Sequence, residues 1–240
     1  MIKILLCMIP SFFILIYVYQ KDKLEKEPLS LLIILFLMGV FCCVFSIFIT
    51  NILKAYFPFL TLSYHELKLW QIIFKILLTI GFIEETTKWL STYFITWHNK
   101  NFKHIYDPIV YCVTTSLGFA TLENIIYALN FNAYGTLPIF LRGLFSVPNH
   151  AVFGIFMGYY LGLSKNATFK HETQQSKIYK LLSLLIPLYF HFIYDMLLVS
   201  KSQFIVLFFI IYVLVCYLLA YSRLKKLAKI KNNFHEENRT

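Results

Sequence analysis

Seven apolar runs of about twenty residues divide this chain, at 2–20, 29–50, 71–97, 108–130, 137–163, 179–199 and 203–221. The hydrocarbon core of a bilayer is roughly 30 Å thick, and a helix rising about 1.5 Å per residue needs about 20 residues to cross it. Each run is therefore read as a membrane span. The expected fold is all-α, a polytopic membrane protein of about seven transmembrane helices. Composition agrees, because 14% of the 240 residues are charged and 59% are hydrophobic, whereas soluble domains average about 25% charged.

The net charge of +10 does not mark a nucleic-acid binder. The basic residues sit in short loops and a tail between apolar runs, where they set topology and meet lipid headgroups. With the N-terminus outside, fifteen Lys and Arg fall on the cytoplasmic side, around Lys21, Lys100, Lys165 and the tail, and five fall on the other. Lys88 and Arg142 lie within spans. The expected orientation places the N-terminus outside and the C-terminus in the cytoplasm.

The first run follows Lys3 as a signal peptide would, but no small-x-small cleavage site follows it, so it reads as an uncleaved helix. Cys7, Cys42, Cys43, Cys112 and Cys216 all fall inside spans without CxxC spacing and read as apolar filler. Residues 52–70 read either as an interfacial helix or as a loop. The organisation is one integral membrane domain, 1–222, with its core at about 71–199, followed by a basic cytoplasmic tail, 223–240.

Four consecutive spans carry groups that lipid penalises. The third has Glu84, Glu85 and Lys88, the fourth Glu123 and Asn124, the fifth Arg142 and His150, and the sixth His191 and Asp195. One charge at mid-membrane costs about 2.5–3.5 kcal/mol on insertion scales, so groups this numerous require partners, water or a function. The other three spans hold no acidic residue or histidine in their interiors and read as scaffold.

Helical geometry limits how these groups meet. Glu84 and Lys88 are four apart and share a face, while Glu85 is turned by about 100°. One glutamate then faces a central site and the other makes a structural contact. His191 and Asp195 are also four apart, so they either bind one metal or Asp195 orients the imidazole. Counted from the predicted helix ends, the whole set lies between the midplane and the outer face. Pro148 and Pro187 remove backbone donors close to the two histidines.

Imidazole and carboxylate are the ligands of a catalytic zinc, with water in the open position. His150, His191 and either Asp195 or Glu123 are candidate ligands for Zn2+, and Glu84 or Glu85 is the candidate base that takes a proton from that water. There is no HExxH, and a site that activates water without metal stays open. Lys88, Asn124 and Arg142 are supporting candidates.

These residues resemble a known pattern. Glu84-Glu85-x-x-Lys88, Gly118-Phe119-Ala120-x-x-Glu123-Asn124, Arg142 with His150-Ala151-Val152-Phe153-Gly154, and His191-Phe192-Ile193-Tyr194-Asp195 resemble the PrsW family of intramembrane proteases. That family is distantly related to CAAX prenyl proteases and bacteriocin-processing enzymes. The resemblance covers about 80–196. It implies a bacterial membrane metallopeptidase that cuts a membrane-anchored protein near the outer surface, an anti-sigma factor in the named member. It also implies active-site positions at Glu84, Glu85 and His150, with His191 and Asp195 beside them. The expected partners are a membrane-anchored protein substrate and the bilayer. The alternatives from other classes are a proton- or cation-coupled transporter and a non-catalytic membrane scaffold.

Overall fold

The computed structural model describes residues 2–22, 25–130, 137–200 and 203–230, and every regular element among them is helical. In chain order these are α1 (Ile2–Lys21), α2 (Leu29–Tyr56), α3 (Leu69–Phe74), α4 (Ile83–Thr96), α5 (Asp107–Asn130), α6 (Leu137–Phe169), α7 (Thr173–Val199) and α8 (Gln203–Leu227). A π-helical stretch, Lys75–Phe82, joins α3 to α4, so the third apolar run is one continuous helical path. Residues 52–70 resolve into three parts: α2 continues to Tyr56, a 3-10 turn covers Pro58–Thr61, and a loop leads to Lys68. Pro58 ends α2 because it lacks the donor that would continue the ladder.

Helix α5 is the centre of the fold. Every residue from Asp107 to Thr121 is buried, as expected for a helix that is apolar on all sides. It packs against α1, α2, α4 and α6, and α6 in turn packs against α7 and α8. The segments Leu29–Tyr56, Asp107–Asn130, Thr173–Val199 and Phe204–Leu227 each combine the length and hydropathy of a membrane span. Outside α5 these spans expose apolar side chains such as Ile33, Leu37 and Phe41 on α2 and Leu207, Leu214 and Leu218 on α8. Such faces suit lipid contact.

Close helix approach is built from glycine. Gly154, Gly158 and Gly162 recur every four residues on α6. A Cβ at Gly154 would lie 2.9 Å from the Cys112 carbonyl oxygen, and one at Gly158 or Gly162 would overlap the carbonyl of Pro108 or Ile105. Small residues at this spacing bring backbones together where lipid gives little hydrophobic drive to association. Hydroxyl groups add cross-links, with Thr92 donating to Thr115 at 2.9 Å and the Trp89 indole N–H donating to Ser183 at 2.6 Å.

The two ends of the bundle differ. One gathers the lysine-bearing segments: Lys103 pairs with Glu25 at 2.6 Å, Lys165 donates to the Trp97 carbonyl at 2.5 Å, and Lys180 donates to the Tyr93 hydroxyl at 2.8 Å while sitting over Trp97. The other carries the 57–68 loop and the ends of α5 and α7. Cys42, Cys43, Cys112 and Cys216 are free and buried, in keeping with apolar filler; the Cys7 side chain lies outside the described residues. Helix α8 carries on to Leu227, past the expected start of the tail at 223, and the tail beyond 230 also lies outside them.

Candidate active site

The four polar spans converge. Glu84, Glu85 and Lys88 come from α4, Glu123 and Asn124 from α5, Arg142 and His150 from α6, and His191 and Asp195 from α7. A cavity of about 450 Å³ is lined by Glu123, Arg142, His150, His191 and Asp195, with Tyr64 and His65 of the 57–68 loop at its rim. A second, of about 290 Å³, reaches Glu84 from the α2 side and shares Ile80, Glu123 and Tyr127 with the first. The first opens at the end of the bundle opposite the lysine-bearing segments.

Lys88 stands at the junction of two polar arms. Its ammonium donates to Glu85 Oε1 at 2.6 Å and reaches His150 Nδ1 at 3.4 Å, and it lies over the Phe119 ring. Along the first arm, Glu85 Oε1 also meets His191 Nδ1 at 2.8 Å, and His191 Nε2 lies 3.3 Å from Asp195 Oδ2. Along the second, His150 Nε2 meets Glu123 Oε2 at 3.0 Å, and Arg142 lies 2.9 Å from the same oxygen. Arg142 Nε then donates to Asn124 Oδ1 at 3.0 Å, and the guanidinium stacks on Tyr127. The two imidazoles stand edge to face, 5.5 Å apart, with Phe153 stacked on His191.

The geometry separates the two adjacent glutamates. Lys88 pairs with Glu85, three residues away, and not with Glu84, four away. Both spacings bring side chains together on a helix, and the His191 imidazole draws Glu85 inward. Glu85 and Lys88 are fully buried, so each charge depends on the other. The Oε2 atoms of Glu84 and Glu85 have no hydrogen-bond partner among the described residues, and Asp195 Oδ2 is in the same position.

Two members of the donor set, His191 and Asp195, are placed to share a metal ion, while both His150 nitrogens are engaged, by Lys88 and Glu123. A neutral His191 that donates Nδ1–H to Glu85 presents only a lone pair at Nε2, and a carboxylate oxygen faces it without a hydrogen bond. Two acceptors in that relation want a proton or a cation between them. The carboxylate behind the imidazole is the usual device for orienting a metal-bound histidine. Glu123 is committed differently, since Arg142 and His150 both claim the same oxygen.

Tyr64, His65 and Asn149 also line the site, and the sequence did not single them out as its walls. His65 and Tyr64 lie between spans, where no periodicity marks them. Helices α6 and α7 run on through Pro148 and Pro187. Pro148 frees the carbonyl of Leu144, which accepts from the Tyr217 hydroxyl of α8 at 3.5 Å.

Residues 27–221 match the profile described as PrsW family intramembrane metalloprotease. Similar chains include Protease PrsW of Geobacillus kaustophilus (strain HTA426), 36% identical over 81% of this chain and 78% of that one. Protease PrsW of Oceanobacillus iheyensis is 34% identical over 90% and 92%, and that of Bacillus subtilis (strain 168) 34% over 82% of each. No solved structure matches. A profile match over most of the chain and relatives at this identity agree with the four-helix constellation: the chain belongs to the PrsW family of intramembrane proteases.

Proposed function

We propose that this protein hydrolyses a peptide bond in a membrane-anchored protein, with Glu84 activating the attacking water and a zinc ion held by His191, Asp195 and His150, whose Nε2 would turn from Glu123 to the metal. The observation that carries the reading is the convergence of two imidazoles and four carboxylates from four helices: His150, His191, Glu123 and Asp195 line one cavity, Glu84 borders the adjoining one, and Glu85 backs His191. Family membership favours proteolysis over transport or a scaffold role.

The two glutamates take different parts. Glu85 gives one oxygen, Oε1, to both Lys88 and His191 and lines neither cavity, so it orients His191 and holds its tautomer. Glu84 has a free buried oxygen and borders the second cavity, which leaves it able to take a proton from water and return it to the leaving amine. Bound zinc would lower the pKa of water and polarise the scissile carbonyl. Glu123, locked to Arg142, steadies His150 and is a weaker ligand candidate than Asp195. The cavity opens away from the lysine-rich end, which the positive-inside rule places in the cytoplasm. Cleavage would therefore fall near the outer surface, as for an anti-sigma-factor-like substrate.

The test is co-expression of candidate single-span proteins with wild type, Glu84→Ala, Glu85→Ala and His150→Ala, with metal analysis of each purified protein. Cleavage lost in all three variants, with zinc lost in His150→Ala and kept in Glu84→Ala, is the expected result. Cleavage by a wild-type protein free of metal would overturn the zinc. Failure to cut any partner, with all four proteins alike, would overturn the protease reading.

A further inference from the structure

A second cluster of ionisable groups lies at the lysine-bearing end of the bundle. Asp22 follows α1, Glu27 precedes α2, and Asp107 opens α5. One carboxylate oxygen from each lies within 4.8 Å of the other two. The three residues are 2%, 4% and 0% exposed, a burial that carboxylates tolerate only when paired or ligated.

Two lysines of the described residues close to the cluster make their hydrogen bonds to other groups. Lys103 is paired with Glu25 at 2.6 Å, and Lys26 donates to the backbone carbonyls of Tyr19 and Asp22. Asp107 Oδ2 accepts from the backbone N–H groups of Lys103 and His104 at 2.8 and 2.7 Å. Its Oδ1 and Glu27 Oε2 are both buried with no hydrogen-bond partner among the described residues, and the buried Tyr111 hydroxyl lies beside Glu27.

We propose that Asp22, Glu27 and Asp107 form a second metal site, which binds one hard divalent cation of the Mg2+, Ca2+ or Mn2+ class and pins the α1–α2 connection to the start of α5. All-oxygen, carboxylate-rich ligation selects such ions over zinc. Ligand atoms within 4.8 Å of one another fit around a single ion with bonds of about 2.1–2.6 Å. The unpartnered oxygens of Glu27 and Asp107 are the ligand positions this predicts. The site is separate from the cavity lined by α5, α6 and α7 and does not depend on its chemistry.

The experiment uses the full chain, purified in detergent and stripped with EDTA, with its thermal unfolding followed as MgCl2, CaCl2 or MnCl2 is added. The same titrations are run on a His150→Ala/His191→Ala variant, to silence the cavity lined by α5, α6 and α7, and on Glu27→Gln and Asp22→Asn. The site predicts a saturable rise in Tm of about 5–10 °C at a hundredfold excess over Kd with at least one of the ions. That rise should persist in the double histidine variant and need at least tenfold more metal in Glu27→Gln and Asp22→Asn. Manganese electron paramagnetic resonance should count one bound ion per chain in the double histidine variant. No saturable rise in wild type overturns the site, and so does a rise unchanged in Glu27→Gln. Stability that climbs on acidification with no response to any of the three ions also overturns it, and assigns the cluster to shared protons.

Discussion

Glu85 Oε1 and His191 Nδ1 lie 2.8 Å apart across 106 positions of sequence, and the contact divides the two adjacent glutamates of α4 into different roles. Glu85 Oε1 faces inward to His191 and Lys88, whereas Glu84 borders the cavity on the α2 side, which Glu85 does not reach. Glu84→Gln should therefore lower cleavage about 10²–10⁴-fold, the range for loss of a general base, while thermal stability and bound metal stay at wild-type values. A parallel drop in Tm would reassign Glu84 to structure.

The buried Lys88–Glu85 pair makes the opposite prediction. Lys88→Met leaves the Glu85 charge without its ammonium partner and should cost about 3–5 kcal/mol. The double variant Lys88→Met/Glu85→Gln should recover much of that loss without recovering activity, because His191 has then lost its carboxylate. Thermal melts of the four proteins in one detergent check the cycle; additive losses would mean that the pair is not coupled.

Arg142 clamps Glu123 and Asn124 and stacks on Tyr127. Arg142→Lys keeps the charge but loses the planar fork. Cleavage should fall roughly 10–100-fold, as for loss of an outer-shell partner of a metal ligand, with expression and melting nearly unchanged. Comparison of cleavage rates at matched protein levels measures this, and wild-type activity in Arg142→Lys would show that charge alone suffices.

The glycine row of α6 predicts a packing phenotype. A Cβ at Gly158 would overlap the Pro108 carbonyl, whereas one at Gly143 meets only Pro10 Cγ, at 3.5 Å. Gly158→Ala should destabilise by about 1–3 kcal/mol through overpacking. Gly143→Ala should be neutral or slightly stabilising, since alanine favours helix by about 1 kcal/mol. Melting temperatures of the two variants, measured together, test the contrast.

Much of this architecture was legible in the sequence. The length of each apolar run located the helices, because the thickness of a bilayer sets how many residues a span needs. The cost of charge in lipid marked Glu84, Glu85, Lys88, Glu123, Arg142, His150, His191 and Asp195 as a set before any contact was known. The pairings were not legible. Three- and four-residue spacings are equally close on a helix surface, so whether Lys88 meets Glu84 or Glu85 depends on where α7 presents His191. The Glu123–Arg142 clamp likewise depends on how α5 and α6 approach. The Asp22, Glu27 and Asp107 cluster gave no local signal, since its members sit in short polar connections where acidic residues are ordinarily solvated. Only the packing of α1 and α2 against the start of α5 brings them together and buries them. Solvent chemistry, acting residue by residue, determined the spans and their polar content; the rotation and approach of the packed helices decided which charge answers which.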